Sequence, residues 1–573
     1  MAIPAEMPLL EDHVGDAVDH RGLPAGRSTT GGWRSAWFII GVEVAERFAY
    51  YGIGSNLISY LTGPLGESTA SAAANVNAWS GTAGSLPVLG AFISDAFLGR
   101  FHTVLVASLI YVLGLALLTL SALLIPISPS TDENSDTAMA VVTSQSSMVN
   151  ALFFFSLYMV AIGQSGHKPC VQAFGADQFD GEDLKEKRSR SSFFNWWYLS
   201  FSAGISLAVL VVVYVQDNVN WAVGFGIPCL VMVFSLVVFL LGRRTYRYTK
   251  RGHDEDNAFT RIGRVLVVSF KNRRLSFTRP GQAQGRTEME ADPSQRHSEK
   301  LGFLHKALLS PHDSVEDARP CSIRDVEDAM DLIRLVPIWF TTLAYAIPYA
   351  QYTTFFTKQG VTMNRKISPG VEIPPASLQI LIGISIILIV PIYDRVFVPI
   401  ARSITKIPRG ITMLQRIGAG MVLSALTMVI SALVESKRLE TAKEHGLIDL
   451  PDTTIPMSIY WLVPQYLLLG LADVFTLVGM QEFFYSQVPT ELRSIGLALY
   501  LSALGVGSFL SSFLIYAIDS ITGKDAGKSW FDNNLNRAHL DYFYWLLAAL
   551  SAVGFSAFLL CSRSYAYRHL DIA

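Results

Sequence analysis

Charge is what this chain has least of. Asp, Glu, Lys and Arg make up 16% of its 573 residues, against about 25% in ordinary soluble domains. Apolar residues reach 51% and mean hydropathy is +0.35, which excludes a typical soluble chain. The net charge of −2 excludes bulk nucleic-acid binding, which needs a basic field. Four cysteines are too few and too scattered for a disulfide framework. Cys170, Cys229 and Cys561 lie in or beside apolar runs and Cys321 in a charged loop, so free thiols are expected. The start, with Glu6, Glu11 and Asp12, lacks the basic residues and short apolar core of a cleaved signal peptide. The first apolar segment is therefore expected to serve as the insertion signal. Glu6-Met-Pro-Leu9-Leu10 approaches an acidic dileucine sorting signal but is one residue short of it. No phosphate-cradling glycine loop, metal-ligand cluster or nucleophile-and-base pair is present. Neither an enzyme nor a bound cofactor or metal is expected.

Long apolar runs fill the rest. A helix needs about 20 apolar residues to cross a bilayer. Runs of that kind fall near 34–60, 76–98, 102–126, 147–174, 193–215, 221–242, 331–355, 375–399, 410–435, 457–484, 495–519 and 540–562. The expectation is an all-α membrane protein with twelve transmembrane helices in two six-helix halves. Its parts would be a cytosolic tail 1–33, a first half 34–242, a cytosolic linker 243–330, a second half 331–562 and a cytosolic tail 563–573. The linker begins basic, with Arg243, Arg244, Arg247, Lys250 and Arg251. Within it Ile262, Val265, Leu266 and Phe270 share a helical face flanked by Arg261, Arg264, Lys271, Arg273 and Arg274. That pattern suits a helix lying on the inner membrane surface; beyond Arg274 a disordered tether reads equally well.

Orientation follows from basic residues. The linker, the 4–5 loop (Lys185, Lys187, Arg188, Arg190) and the 8–9 loop (Arg395, Arg402, Lys406, Arg409) are basic. The opposite loops of the first half, 62–75, 126–147 and 216–220, carry neither Lys nor Arg. Both termini are therefore expected inside. The second half is less regular: Lys358, Arg365, Lys437, Arg438, Lys524 and Lys528 would face outward.

The first span breaks the scarcity of charge. Glu43, Glu46 and Arg47 sit well inside it, three and four residues apart and on one helical face. Tyr50 and Tyr51 extend that face by a turn. A charge at such depth costs roughly 2.5–3.5 kcal/mol on insertion scales, so it needs partners or a watery cavity. Glu43-x-x-Glu46-Arg47, with Phe48 and Tyr50-Tyr51-Gly52 after it, resembles the signature of proton-coupled oligopeptide transporters. The extended form resembles the plant nitrate/peptide transporter family of the major facilitator superfamily, and the likeness runs from about Trp33 to about Arg568.

That resemblance implies a major facilitator fold and a proton-coupled symporter moving nitrate or small peptides by alternating access. A facilitative carrier of nitrate, or of another small organic solute such as a hormone or specialised metabolite, is the first alternative. A solute receptor signalling through the linker is the second. Partners would be protons, a small polar solute and the bilayer, either plasma or vacuolar membrane. Lys168, in Gly166-His167-Lys168-Pro169-Cys170, matches the family's span-4 lysine that meets the span-1 carboxylates. Read alone, it could instead snorkel to water. Proton binding at Glu43 and Glu46 would then release Lys168 or Arg47 to the substrate.

Asp473 in span 10 stands where related transporters often carry Glu. Tyr349, in Pro348-Tyr349-Ala350-Gln351, stands where one nitrate-transporting branch has His; it donates a hydrogen bond but cannot become cationic. Arg47, Tyr50, Tyr51, Lys168, Tyr349, Gln351 and Asp473 are the expected substrate contacts, with core packing the other reading of Tyr349. Gly90–Arg100, containing Asp95, resembles the superfamily's loop motif; Pro391-Ile-Tyr-Asp394-Arg395 occupies the corresponding end of span 8. Asp95, Arg100, Asp394 and Arg395 would bridge helix ends and part as the halves rock. Arg100-x-x-Thr103 matches a kinase motif on an inner loop, which adds a kinase as a candidate partner. Topology is directly testable. A tag near Asp136 should be reached from outside the cytosol and one near Gly285 only from inside; both on one side would overturn the twelve-span reading.

Overall fold

The computed structural model describes residues 13–125, 136–180, 183–249, 258–274, 302–308, 321–368, 371–406, 410–451, 453–489, 492–523 and 529–565. Glu6–Leu10, Lys250, Arg251, Arg409, Lys524, Lys528 and, in the linker beyond Arg274, residues 275–301 and 309–320 lie outside them. The same holds for the side chains of Asp95, Arg274 and Asp394. Among the described residues eleven helical segments are long and apolar enough to cross a membrane. They are Thr69–Leu98 (α2), Arg100–Leu123 (α3), Ser147–Ala176 (α4), Lys185–Asn218 (α5), Trp221–Arg244 (α6), Ile323–Val361 (α7), Pro375–Thr405 (α8), Met413–Glu444 (α9), Ile459–Ser486 (α10), Ile495–Thr522 (α11) and Leu540–Arg563 (α12). Helix α1, Gly32–Gly54, packs against α4, α5 and α6. It is the one apolar segment interrupted by Arg34, Glu43, Glu46 and Arg47.

Several of these helices are broken where backbone geometry changes. Helix α7 runs regularly to Tyr349, tightens into a 3-10 turn over Ala350–Thr353 and resumes at Phe355. Pro337 and Pro348 lie inside it, and proline both removes a backbone donor and crowds the preceding turn. Helices α2 and α8 each carry one π-turn, Ser94–Leu98 and Tyr393–Phe397. Both begin one residue before the acidic members of the related sequence motifs, Asp95 and Asp394.

Helix α2 lies along α11. The two backbones touch at Gly84 and Gly505, where a Cβ on Gly84 would sit 2.8 Å from the Gly505 Cα. Only residues without side chains permit that approach. Nearer the Thr62 end, Asn77 Nδ2 donates to Ser511 Oγ at 3.0 Å and Ser512 Oγ to the Ala74 carbonyl at 2.8 Å. Further ties between the 32–244 and 323–563 helices lie at that same end. Lys358 Nζ donates to Thr62 Oγ1 at 3.1 Å, Gln379 Nε2 to the Ser55 carbonyl at 2.8 Å, and the Thr69 amide to Asn533 Oδ1 at 2.9 Å.

The opposite end of the first six helices is closed by a small sheet. Strands β1 (His13–Val18) and β2 (Pro24–Gly26) pair antiparallel, and β3 (Tyr248–Thr249) adds to β1. Beneath it Arg247 is buried and paired to Glu186 at 2.6 Å, with Gln178 accepting from its backbone amide. Gly31, at φ +74°, passes over this guanidinium, and a Cβ there would lie 2.2 Å from Arg247 Nε. Arg27 adds an ion pair to Asp180 at 2.5 Å.

A helix in the linker, Ala258–Lys271, divides the apolar face expected of it. Ile262 and Val265 are buried with Leu304, Ala307, Val326 and Ala329, whereas Leu266 and Phe270 are exposed. The cause is Arg261, held by Asp325 at 3.6 Å and Asp328 at 3.4 Å. That pairing turns the Ile262–Val265 side onto the base of α7.

The irregular charges of the second half also resolve. Lys437 pairs with Glu440 at 2.9 Å and Arg365 with Glu372 at 3.4 Å. Arg438 is not a surface charge: it and Glu435 are fully buried and 2.6 Å apart. Arg438 also donates to Thr362 Oγ1, Asn536 Oδ1 and the Leu535 carbonyl, while Gln359 Nε2 donates to Glu435 at 2.7 Å. The cluster ties α7, α9 and the segment before α12 together. Removing one member of a buried pair strands the other at about 3–5 kcal/mol. Glu435→Ala should therefore sharply lower the melting temperature in detergent, and adding Arg438→Met should restore much of it. An unchanged melting temperature in the single variant would show that the pair is solvated.

Candidate functional site

Helix α1 puts its charged face toward the centre of the bundle. Arg47 Nε donates to Glu43 Oε1 at 2.7 Å and lies 3.2 Å from Glu46 Oε2. All three side chains are at most 6% exposed. Both carboxylates thus approach the same edge of the guanidinium, and the Phe201 ring lies 4.8 Å from its central carbon. Glu43 is the better-placed partner. The 3.2 Å approach to Glu46 is not aligned as a hydrogen bond, and both Glu46 oxygens lack a hydrogen-bond partner among the described residues.

One turn further along, Tyr50 stacks on Trp79 with centroids 5.1 Å apart and meets Tyr51 edge-on at 5.3 Å. Lys168 comes from α4 to place Nζ 5.9 Å from the Tyr50 ring, within electrostatic reach of Glu43 and Glu46. Trp79 is itself fixed, its indole donating to the Leu157 carbonyl at 3.0 Å. Lys168, Tyr50 and Tyr51 are half-buried, Tyr50 and Tyr51 near the end of α1 and Lys168 in the last third of α4.

The facing wall comes from α7 and α10. Asp473 accepts a hydrogen bond from the Tyr345 hydroxyl, and both are buried. Tyr345 stacks on Tyr349 at 6.0 Å, which tilts against Tyr352 at 5.1 Å. Residues 345, 349 and 352 fall at i, i+4 and i+7, so they form one stripe that ends where α7 breaks. Tyr51 of α1 is close enough to Asp473 to interact with it electrostatically, which brings the α1 face and the α7–α10 wall together.

Other expected residues fall elsewhere. Gln351 is fully buried and donates to the Ile347 carbonyl at 2.9 Å and to Ser511 Oγ at 2.8 Å, so it joins α7 to α11. Arg100 pairs with Asp177 at the end of α4. Arg395 is exposed, within the π-turn of α8. Thr103 is buried, and its hydroxyl donates to the Gly99 carbonyl at 2.9 Å. A kinase would have to open the first turn of α3 to reach it. Tyr345, Tyr352, Trp79 and Phe201 were not foreseen; the α7 tyrosine spacing was the available signal.

The chain matches the family model described as "PTR2: POT family" over residues 101–531. It is 71% identical over 572 residues to Protein NRT1/ PTR FAMILY 5.14 of Arabidopsis thaliana, covering 100% of each chain. It is 69% identical over 573 residues to Protein NRT1/ PTR FAMILY 5.13 of the same plant, again covering 100% of each. Among solved structures it resembles an auto-inhibited POT family peptide transporter with a TM-score of 0.69 at 21% identity, covering 94% of this chain and 98% of that one. For the POT family transporter PepTSo the TM-score is 0.66 at 21% identity, covering 93% and 98%. At that identity the likeness carries the fold, which is of major facilitator type with many membrane-spanning helices.

The Tyr345–Asp473 bond gives a direct test of the α7–α10 wall. Tyr345→Phe leaves a buried acceptor without its donor, worth about 1–3 kcal/mol. KM for the transported solute should rise roughly tenfold at near-normal surface abundance. An unchanged KM would place Asp473 outside the binding surface.

Proposed function

Because the chain belongs to the POT family of membrane transporters, within its plant NRT1/PTR branch, we propose that it is a proton-coupled symporter working by alternating access. The observation that carries this reading is the Glu43–Glu46–Arg47 cluster buried in α1, with Lys168 of α4 in electrostatic reach and Tyr51 joining it to Asp473 of α10. On this reading α1 is the twelfth membrane helix. The 34–242 and 331–562 segments form the two halves, 243–330 is the cytosolic linker, and 1–33 and 563–573 are cytosolic tails. The substrate site lies between the halves near the midplane, as inverted or repeated bundles place it.

The cross-half hydrogen bonds support one state of the cycle. With basic loops inside, the end tied by Lys358–Thr62, Gln379–Ser55 and Thr69–Asn533 is the outer one. The outer side is then closed and the substrate site faces the cytosol. A proton arriving at Glu43 or Glu46 weakens their hold on Arg47 and Lys168, and those cations become available to a substrate anion. Arg100–Asp177, with Asp95, Asp394 and Arg395 at the related helix ends, supplies contacts that rearrange as the halves rock. The substrate is nitrate or a di- or tripeptide; for a peptide, Asp473 takes the amino end and Lys168 the carboxylate. The stripe Tyr345, Tyr349 and Tyr352 favours one alternative, a larger organic solute, because stacked rings offer apolar area that nitrate does not use.

Substitutions separate coupling from binding. Glu46→Gln keeps size but cannot carry the proton. It should abolish accumulation against a gradient at acidic external pH while counterflow persists. Arg47→Lys should not substitute for arginine, since an ammonium lacks the planar edge that both carboxylates approach. Asp473→Asn should depress uptake more than abundance. The measurement is uptake and counterflow of a substrate panel at acidic and neutral external pH, with surface protein quantified. Concentrative, pH-dependent uptake by Glu46→Gln would refute the coupling assignment.

A further inference from the structure

Beside the α1 cluster, polar groups are buried that the transport reading leaves unused. On α4, His167 is 1% exposed and Gln164 fully buried; on α3, Tyr111 is fully buried. Their partners are incomplete. Tyr111 Oη, both amide atoms of Gln164, His167 Nδ1 and both oxygens of Glu46 have no hydrogen-bond partner among the described residues. Six such atoms on neighbouring helices are far more than chance burial leaves, since buried polar groups are nearly always paired.

The tautomer of His167 follows from its one partner. Ser108 Oγ donates its only proton to the Val104 carbonyl at 2.7 Å, so toward His167 Nε2, at 2.9 Å, it can only accept. Nε2 therefore carries the hydrogen and Nδ1 presents a bare lone pair. Tyr111 stands next to it, with ring centroids 6.0 Å apart, and its hydroxyl interacts electrostatically with Glu46 and Tyr50. Gln164 lies one turn before Lys168 on the α4 face turned to α1. A buried water needs two to four polar partners, and donors and acceptors for that are present here.

We propose that the proton site extends from Glu46 through a hydrated pocket formed by Tyr111 and Gln164 to His167, which is a second proton-accepting group; this rests on the symporter reading above. In the transfer, the O–H bond of the Glu46 carboxylic acid breaks and an N–H bond forms at His167 Nδ1. Water passes the proton on, leaving a carboxylate and an imidazolium with no net change of charge. The groups facing this path are Glu43, Arg47 and Tyr50 from α1, Tyr111 from α3 and Lys168 from α4. With Arg47 and Lys168 both cationic nearby, the imidazole holds the proton only while both carboxylates are ionised. One proton is therefore shared between Glu46 and His167, and two are not carried at once.

The test is the external-pH dependence of substrate-evoked current in voltage-clamped oocytes, at matched surface abundance. His167→Gln can still donate to Ser108 but accepts no proton in this range. Its half-maximal current should move to more acidic pH by about one unit, a tenfold change in proton concentration. Tyr111→Phe, which removes one hydroxyl and no volume of consequence, should move it the same way by less. Wild-type pH profiles in both variants would overturn the proposal. If His167→Gln fails to reach the surface, Tyr111→Phe decides alone. Failure of the symporter reading is distinguished by Glu46→Gln: a pH-dependent current surviving there refutes coupling at α1, whereas its loss beside normal His167→Gln and Tyr111→Phe profiles refutes only the extension.

Discussion

Pairing of carboxylates with guanidinium groups away from water is the constraint on which this arrangement depends. An unpaired charge inside a membrane bundle is costly, so each buried Arg dictates what must surround it. The chain meets this demand in two different ways. Around Arg438, each partner named above is joined by a hydrogen bond, and the group spans α7, α9 and the approach to α12. Around Arg47, one carboxylate is bonded and the other only near, with its oxygens unsatisfied. A completed network fixes a structure; an incomplete one leaves room for a proton, a water or a substrate to finish it. The same residue types therefore act as a rivet around Arg438 and, on the reading proposed above, as working groups around Arg47.

Interrupted helices face the α1 cluster. Helix α7 loses its regular turn where Tyr349 and Tyr352 face the interior, and α4 carries Pro169 beside Lys168. Irregular backbone at membrane depth is tolerated only where it is covered by protein or lines a watery space. Here protein covers it, since Gln351 and Thr354 absorb freed carbonyls while the tyrosines stack along the neighbouring face. Aromatic rings give this wall a shape that does not depend on any single charge.

Much of this was legible in the sequence, and the failures have a common cause. Apolar run length locates the eleven apolar spans, and the spacing of Glu43, Glu46 and Arg47 alone puts them on one face. The spacing of Tyr345, Tyr349 and Tyr352 was equally readable but competes with ordinary core packing. What one-dimensional pattern cannot supply is which neighbour a face meets. Arg438 reads as an outward-facing basic residue until Glu435, Gln359 and Asn536 are seen to enclose it. Leu266 and Phe270 match Ile262 and Val265 in spacing, yet Arg261 pairs with the base of α7 and rotates them apart. Gln351 sits beside the tyrosine stripe in sequence, and one helical step turns it to α11. Residues 13–26 carry no strand pattern strong enough to foresee a hairpin that finds its third strand more than two hundred residues later.

The contact of Gly84 with Gly505 bears on how easily such a molecule changes shape. Side chains that interlock must disengage before two surfaces slide, and that is a source of friction. Where α2 meets α11 at these glycines, backbone lies against backbone, with Ser85 and Phe509 the side chains beside the contact. On the alternating-access reading proposed above, such a line is a bearing on which opening at one face is geared to closing at the other, and the work of that cycle is concentrated in the polar ties at the rim.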